Sequence, residues 1–279
     1  MMSSLNRPYK LLVLDIDGTL LNREGKISDE DREALAQASV LGIKVSLSTG
    51  RTLQSGLKII NQLPLDGYHI FFDGALVANP IQNSEIFVLP IRKEIVREAV
   101  AFAHQHDIRL ELYSANEYFV ERETWATNVR RQYFGIQPTF VDFDGIWERE
   151  RIIKGTVAVF TPEERVKADM LCQRFKNELG SLHFSWTATP AYPNVDFVNI
   201  VAPGVSKGKA LEVLASHLSI PLDEVIAVGD ERNDVSLFKL VGFSIAMGNA
   251  PDEVKAAADY VTLDVDQSGV AAAIKKFLL

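Results

Sequence analysis

The sequence predicts an α/β protein in which a doubly wound parallel sheet forms the main domain and a smaller α+β module is inserted into it. Two observations lead to this fold class. Short apolar runs alternate with helical patterns in the first and last parts of the 279-residue chain, whereas the middle part groups helices with paired strand-like segments. Repeated strand–helix units fold into parallel sheets with helices on both faces. We therefore expect the main domain at residues 1–82 and 196–279 and the inserted domain at residues 83–195.

The first part begins with Leu11–Leu14, a continuous apolar run that is typical of a strand buried on both faces. Ser28 is a suitable N-cap for the helix that follows, and Gly42 is a suitable residue to end it. The pattern then predicts, in order, a strand at Ile43–Leu47, a helix that reaches Asn61 and a strand at His69–Phe72.

The last part resumes the alternation of strands and helices. Ser206 caps a helix that carries leucines at helical spacing, and Val225–Val228 predicts a buried strand that ends in Gly229-Asp230. The remaining elements are a helix over 233–240, a strand at 244–246, a helix over 252–258, a strand at 260–262 and a final helix from Gly269.

The middle part shows a different pattern. Its expected elements are a strand at 86–89, a helix over 93–106, a strand pair at 109–113 and 118–120, a helix from Thr161 to Leu179 and a strand pair at 183–189 and 195–201. The sequence Thr161-Pro-Glu-Glu164 is a capping box, which supports the start of the second of these helices. Helices grouped with antiparallel strand pairs indicate a separate α+β module.

Charge and composition exclude several classes of function. The net charge of −8 argues against a nucleic-acid or membrane partner, because such partners need a basic surface. Cys172 is the only cysteine, so no internal disulfide can form, and its apolar helical neighbours favour a core position over a nucleophile. The start of the chain lacks the apolar stretch of a signal peptide, and no apolar run approaches the length of a membrane span. We expect a cytoplasmic protein, whose oligomeric state the sequence does not indicate.

Two carboxylates follow the first predicted strand. Side chains alternate along a strand, so we expect Asp15 and Asp17 to point the same way and to share one ion or one substrate. One can act as nucleophile or metal ligand while its neighbour transfers protons. An acidic turn that merely ends the strand is the alternative. The apolar strand, the paired acids, Gly18 and Thr19 together favour a functional site.

Other reactive residues follow other predicted strands or begin a predicted helix. The turn Ser48-Thr49-Gly50 suits phosphate oxygens, although Thr49 could simply cap the next helix. Lys207 lies in the first turn of a helix, where the helix dipole disfavours a cation, although lysines commonly lie on solvated faces. Asp230 and Asp234 offer the oxygen ligands that a hard cation prefers, although an acidic loop can also cap a helix. Because ligands bind beyond the carboxyl ends of parallel strands, these residues are expected at one site.

These motifs, in this order, are similar to those of the haloacid-dehalogenase-like (HAD) superfamily, and within it to the Cof-type phosphatases that carry a large cap between the second and third motifs. Asp15–Leu20 resembles the first motif, Thr49–Arg51 the second, Lys207–Leu211 the third and Gly229–Asp234 the fourth. The resemblance covers the whole main domain, a Rossmann-like HAD core, whereas the middle part resembles the cap by position and layout only. One departure is Asp73, because the family typically has an asparagine there.

The resemblance implies a Mg²⁺-dependent hydrolase of small phosphate monoesters, such as sugar phosphates or phosphorylated cofactors, that works through an aspartyl-phosphate. Asp15 would attack phosphorus, and Asp17 would protonate the leaving alkoxide and then deprotonate the incoming water. The residues that would bind substrate or phosphate are Thr49, Gly50, Lys207 and Asn233. The residues that would hold Mg²⁺ are Asp15, Asp230, Asp234 and, through its backbone carbonyl, Asp17.

Two other functions are compatible with the motifs. A phosphomutase would return the phosphoryl group to another hydroxyl, and a phosphate-ester-binding module would show little or no turnover. The presence of both Asp15 and Asp17 argues against the binding module, because binding alone needs no acid–base partner. Specificity is expected in the cap. Its segment 118–133 contains Arg122, Trp125, Arg130 and Arg131, which either contact the substrate or face solvent.

Overall fold

The computed structural model of the protein describes residues 9–177, 182–189 and 192–279. The chain divides into two compact units. The first unit contains the described residues up to Arg51, Gly56–Phe87 and Ser206–Leu279, and the second contains Thr52–Ser55 and the described residues of Val88–Val205.

The amino-terminal part of the chain contains seven helices and strands in its described residues. They are β1 (Leu11–Leu14), α1 (Asp29–Val40), β2 (Lys44–Leu47), α2 (Leu53–Ile60), β3 (His69–Phe71), β4 (Leu76–Asn79) and β5 (Ser84–Val88). Ser28 caps α1, as predicted, by accepting a hydrogen bond from the backbone N–H of Asp31. Strand β4 was not predicted from the sequence. It pairs antiparallel with β3, and β5 is the third strand of this small sheet.

The second unit carries the middle elements. They are α3 (Lys93–Gln105), β6 (Leu110–Tyr113), β7 (Tyr118–Val120), α4 (Trp125–Val129), β8 (Thr139–Phe140), α5 (Ile146–Arg149), β9 (Lys154–Val159), α6 (Pro162–Asn177), β10 (His183–Thr189) and β11 (Tyr192–Val201). A short π-helix, Arg130–Phe134, follows α4 directly. The end predicted for α6, at Leu179, lies outside the described residues.

The carboxyl-terminal part returns to the first unit. Its elements are α7 (Lys207–Leu218), β12 (Val225–Gly229), α8 (Val235–Phe238), β13 (Phe243–Ala246), α9 (Asp252–Lys255), β14 (Tyr260–Val261) and α10 (Gly269–Phe277). Helices α8 and α9 are shorter than predicted, and a 3₁₀ turn, Arg232–Asp234, precedes α8. Within the described ranges, no helix combines the length and the apolar character needed to cross a membrane.

The main sheet of the first unit confirms the predicted parallel architecture. Its strand order is β14-β13-β12-β1-β2, and every neighbouring pair is parallel. Strand β1 lies in the interior, with Leu12 opposite both Ile226 of β12 and Val45 of β2. All four residues of β1 are buried, which explains its continuous apolar sequence. Because the strands run in one direction, their carboxyl ends share one edge of the sheet.

Apolar side chains cover both faces of this sheet. Leu11 and Val13 pack in one cluster with Leu211 and Leu214 of helix α7. Leu12 and Leu14 point to the opposite face and are equally buried. The arrangement is the doubly wound sheet that the alternating pattern predicted.

The second unit is built on a six-stranded sheet of order β10-β11-β9-β6-β7-β8. One face of this sheet packs against α3 and α6, with Val100 and Phe175 in the apolar cluster between them. Strand β11 pairs with β9 from Asp196 to Val201. The expected domain boundary at 195/196 therefore falls inside a paired strand, and the second compact unit continues to Val205.

A buried charged network lies within the second unit. Glu111 Oε2 accepts hydrogen bonds from Nε and Nη2 of Arg130 at 3.0 and 2.8 Å, and the hydroxyl of Tyr113 donates to the same oxygen at 3.2 Å. The hydroxyl of Tyr118 donates to Glu111 Oε1 at 2.7 Å. The guanidinium of Arg130 also lies 4.2 Å from the ring centre of Phe197. The expectation that Arg130 faces solvent or substrate is wrong, because its side chain is 9% exposed and is satisfied within the fold.

Replacing Arg130 tests how much this network stabilises the second unit. Arg130→Met leaves the Glu111 carboxylate buried without its cation, so we expect a loss of about 3–5 kcal/mol in the free energy of unfolding. Urea unfolding followed by tryptophan fluorescence measures this loss. All three tryptophans, Trp125, Trp147 and Trp186, belong to the second unit.

Arg122→Met is the matched control. Arg122 pairs with Asp107 on the surface of the same unit, and both side chains are more than 60% exposed, so this change should leave the unfolding curve almost unaltered. Equal midpoints for the two variants would contradict the importance of the buried network.

Candidate active site

The carboxyl ends of β1 and β12 bring two of the predicted site residues together. Asp15 follows β1, and its backbone N–H donates to the carbonyl of Val228 at 3.0 Å, which continues the ladder beyond the strand. Asp230 directly follows β12. Both side chains are buried. The edge of a parallel sheet where strands end is the usual position of a ligand site in such folds.

Lys207 bridges two carboxylates of this cluster. Its Nζ lies 2.6 Å from Asp15 Oδ1 and 2.7 Å from Asp234 Oδ1, and its side chain is only 1% exposed. Burial alone lowers the pKa of Lys207, but the charges of Asp15 and Asp234 raise it by more, so the pKa is higher than usual. Lys207 is therefore a buried ammonium group, and the alternative of a solvated lysine is excluded.

Hydrogen bonds fix the positions of the other two carboxylates. Asp234 Oδ2 accepts the backbone N–H groups of Asp230 and Glu231, each at 3.0 Å. Asp230 Oδ1 accepts the hydroxyl of Thr19 at 2.8 Å. Oxygens of Asp15, Asp230 and Asp234 all lie within 4.8 Å of one another. This set of oxygen donors is what a hard divalent cation prefers.

The carboxylates of the cluster carry more negative charge than Lys207 neutralises. Burial raises the pKa of Asp15 well above its ordinary value, and the neighbouring carboxylates add to the effect against the opposing charge of Lys207. Burial also raises the pKa of Asp230 from 3.8 to about 7, with the hydrogen bond from Thr19 opposing and the charge of Asp234 adding. One ammonium group thus faces three buried carboxylates. A divalent cation fits the residues present.

Gly18 allows the turn after Asp17 to pass close to the cluster. Its φ of +86° is a conformation that side chains disfavour, and a Cβ at this position would collide with the carboxylate of Asp230. Asn249 holds the same turn, because its Nδ2 donates to the carbonyl of Gly18 at 2.8 Å. Asn249 was not assigned to the site from the sequence.

The side chain of Asp17 lies apart from the three clustered carboxylates. Its two oxygens accept hydrogen bonds from Arg51, at 2.6 Å from Nη2 and 2.8 Å from Nε. The side chain of Asp17 is half exposed, whereas that of Arg51 is 10% exposed. Bidentate pairs of this kind fix the orientation of the carboxylate. Arg51 was missed as a site residue, although its place in the Thr49-Gly50-Arg51 motif was a signal that could have identified it.

The Thr49–Gly50 turn lies beside this pair. Thr49 is buried, and its hydroxyl accepts the backbone N–H of Arg51 at 3.1 Å. Thr49 is not the cap of the next helix, because α2 begins at Leu53 and the hydroxyl of Thr52 accepts the N–H of Ser55. The remaining predicted residue, Asn233, donates from Nδ2 to Asp73 Oδ1 at 3.0 Å.

Comparisons with known proteins agree with this fold. A family model for haloacid dehalogenase-like hydrolases matches residues 12–274. The 5-amino-6-(5-phospho-D-ribitylamino)uracil phosphatase YcsE of Bacillus subtilis is 32% identical over 270 residues, which cover 97% of this chain and 96% of that protein.

Two solved structures show the same fold. A haloacid dehalogenase-like hydrolase from Bacteroides thetaiotaomicron is 28% identical, with a TM-score of 0.85, and the match covers 97% of this chain and 100% of that one. A HAD subclass IIB sugar phosphatase is 27% identical, with a TM-score of 0.75 and coverage of 96% and 98%. The chain therefore belongs to the haloacid dehalogenase-like hydrolase family, and it is a hydrolase with phosphatases among its relatives.

Asp230→Asn tests the charge imbalance of the cluster. The pKa of Asp230 in the folded protein lies above 3.8, so protonation of Asp230 stabilises the fold. This stabilisation is complete at acidic pH and is lost as the pH rises through about 7. In a chelating buffer, raising the pH from about 5 to about 8 should therefore lower the melting temperature of the wild type more than that of Asp230→Asn. Added Mg²⁺ should stabilise the wild type at the higher pH and not the variant.

Asp223→Asn is the matched control for this experiment. Asp223 is exposed and precedes β12, at the opposite end of the strand from Asp230. Its melting profile should follow that of the wild type at every pH and Mg²⁺ concentration. Parallel pH profiles for the wild type and Asp230→Asn would contradict the assigned imbalance.

Proposed function

We propose that the protein is a Mg²⁺-dependent phosphatase that hydrolyses small phosphate monoesters through an aspartyl-phosphate on Asp15. The observation that supports this most strongly is the buried cluster of Asp15, Lys207, Asp230 and Asp234 at the carboxyl edge of the parallel sheet. Phosphoryl transfer requires chiefly positioning and neutralisation of charge, and this cluster offers both.

Asp15 is the proposed nucleophile. A carboxylate oxygen of Asp15 forms a bond to phosphorus while the bond from phosphorus to the ester oxygen breaks. Lys207, at 2.6 Å from Asp15, lies where it can stabilise negative charge on the transferred group. The hydroxyl of Thr49 and the backbone of Gly50 are the proposed contacts for the remaining phosphate oxygens.

Asp17 is the proposed acid and base. In its protonated form it gives a proton to the leaving alkoxide, and the resulting carboxylate then takes a proton from the water that hydrolyses the acyl-phosphate. Inorganic phosphate and free Asp15 are the products of the second step. Such proton transfer contributes about 10²–10⁴-fold to a rate. Arg51, through its two hydrogen bonds, orients Asp17 for this role.

Mg²⁺ is the proposed cation of the acidic cluster. The side chains of Asp15, Asp230 and Asp234 and the backbone carbonyl of Asp17 would hold it. When bound, the ion neutralises charge that Lys207 alone leaves uncompensated. The raised pKa values of Asp15 and Asp230 support this assignment, because a cation would keep both groups ionised.

The substrate is proposed to be a phosphorylated sugar, polyol or cofactor precursor. The names of two similar proteins support this class, since one is a phosphatase of a phosphoribityl pyrimidine and the other is a sugar phosphatase. We propose the second compact unit, inserted in the chain between β5 and α7, as the cap domain that selects the substrate. A cytoplasmic location belongs to the same proposal and is supported by the single cysteine.

A panel of phosphate monoesters, assayed with Mg²⁺ and after exhaustive chelation, tests the proposed activity. We expect release of inorganic phosphate that depends on Mg²⁺, because the acidic cluster lacks sufficient positive charge without it. Transfer of the phosphoryl group to a second hydroxyl, with no free phosphate, would indicate a phosphomutase instead. Full activity after chelation would contradict the assigned metal site.

Variants of the two paired acids separate their roles. Asp15→Asn should abolish turnover, because the amide is a poor nucleophile, while thermal unfolding of the variant remains cooperative. Asp17→Asn should slow the reaction by about 10²–10⁴-fold, with a smaller loss on p-nitrophenyl phosphate, whose leaving group needs little protonation. Steady-state kinetics on p-nitrophenyl and alkyl phosphates measure both effects. Equal losses for Asp17→Asn on the two esters would show that another group is the acid.

A further inference from the structure

An unusual turn after β3 places a fifth carboxylate close to the site. Phe72, Asp73 and Gly74 have φ values of +52°, +58° and +104°, a conformation that costs free energy for residues other than glycine. Two backbone hydrogen bonds tie the turn to the second motif. The N–H of Phe72 donates to the carbonyl of Arg51, and that of Asp73 to the carbonyl of Thr49, each at 3.0 Å. The position of Asp73 is thus set by the backbone.

The carboxylate of Asp73 lies directly against Gly50. A Cβ on Gly50 would be 2.8 and 3.1 Å from the two oxygens of Asp73, closer than a methyl group allows. The charge of Asp73 also adds to those of Asp15 and Asp234 in raising the pKa of Lys207 against the effect of burial. The turn proposed to bind phosphate therefore has a negative charge at its side.

Asp73 determines which way the side-chain amide of Asn233 faces. An ionised carboxylate only accepts hydrogen bonds, so Asn233 must turn its NH₂ group toward Asp73, as the 3.0 Å contact shows. The hydroxyl of Ser236 donates to the backbone carbonyl of Asn233 at 2.7 Å, which holds the residue in place. Asn233 is exposed, and its Oδ1 accepts no hydrogen bond from the residues that the structure describes.

We propose that Asp73 is a positioning residue that holds Asn233 with its side-chain oxygen available to the substrate. The inference rests on the proposed phosphatase function and narrows its substrate class. With the amide fixed in this orientation, the site offers a hydrogen-bond acceptor beside the phosphate-binding turn. It favours esters whose alcohol carries a hydroxyl or ammonium donor next to the ester carbon. An ester with an alkyl chain alone gains nothing from this acceptor.

Glycerol 1-phosphate and propyl phosphate form a matched pair of probes, because they have the same carbon chain with and without hydroxyl groups. In the wild type, kcat/KM should be higher for glycerol 1-phosphate. Asp73→Asn should lower the ratio of the two kcat/KM values about twofold, because an asparagine permits both orientations of the Asn233 amide and only one of them presents the oxygen to the substrate. The loss should appear in KM for glycerol 1-phosphate, with kcat nearly constant. The lost negative charge affects both phosphates equally and cancels in the ratio.

The double variant shows whether Asp73 acts through Asn233. Asn233→Ala should lower the same ratio about fivefold, and the combination with Asp73→Asn should lower it no further. Asp66→Asn is the matched control, since Asp66 accepts a hydrogen bond from Asn79 Nδ2 at the other end of β3. It should leave the ratio unchanged.

Each other outcome has a definite meaning. Asparagine tolerates the left-handed conformation, so Asp73→Asn is compatible with the turn, and Asn233→Ala tests the acceptor without altering the turn. An unchanged ratio in either single variant, or additive losses in the double variant, would overturn the proposal. No hydrolysis of either ester by the wild type, with Mg²⁺ present, would instead contradict the phosphatase function itself.

Discussion

A single buried ammonium group holds the reactive edge of the first unit together. Lys207 lies between Asp15, at the end of β1, and Asp234, in the turn after β12, so it joins two strands of the sheet through one side chain. Removing one partner from such a buried pair typically costs about 3–5 kcal/mol. Helix α7 can bring Lys207 to this position because Gly208 packs directly on the backbone of Ser236, where a Cβ would collide. Close helix packing and the charge arrangement therefore depend on each other.

The cluster has more negative charge than the chain itself neutralises, and this imbalance connects structure with function. A fold gains nothing from three buried carboxylates unless a cation or a proton compensates them. The raised pKa values of Asp15 and Asp230 are the consequence. Asp17 differs because Arg51 satisfies it outside the cluster. The two acids of the first motif thus have separate environments, as separate roles in catalysis require.

The sequence predicted the parallel sheet and most residues at its carboxyl edge, because buried strands leave continuous apolar runs and the motifs follow them directly. Lys207 was recognisable because a cation in the first turn of a helix is unfavourable without partners. The pairs Arg51–Asp17, Asn233–Asp73 and Arg130–Glu111 were not predictable. Each joins side chains far apart in the chain. The last two also depend on a local backbone feature that has no periodic pattern, namely the positive φ of Asp73 and the π-helix that begins at Arg130.

Acid quenching of the enzyme during turnover tests whether the proposed aspartyl-phosphate forms on Asp15. Acyl-phosphates survive brief exposure to acid, so peptide mass spectrometry can locate a trapped phosphoryl group. We propose Asp15, which is in contact with Lys207, as the residue that carries it. We predict one phosphoryl group on the peptide that contains Asp15, with its loss on treatment with hydroxylamine. Rapid phosphate release with no phosphoryl group on Asp15, or with the group on another residue, would contradict the nucleophile assignment.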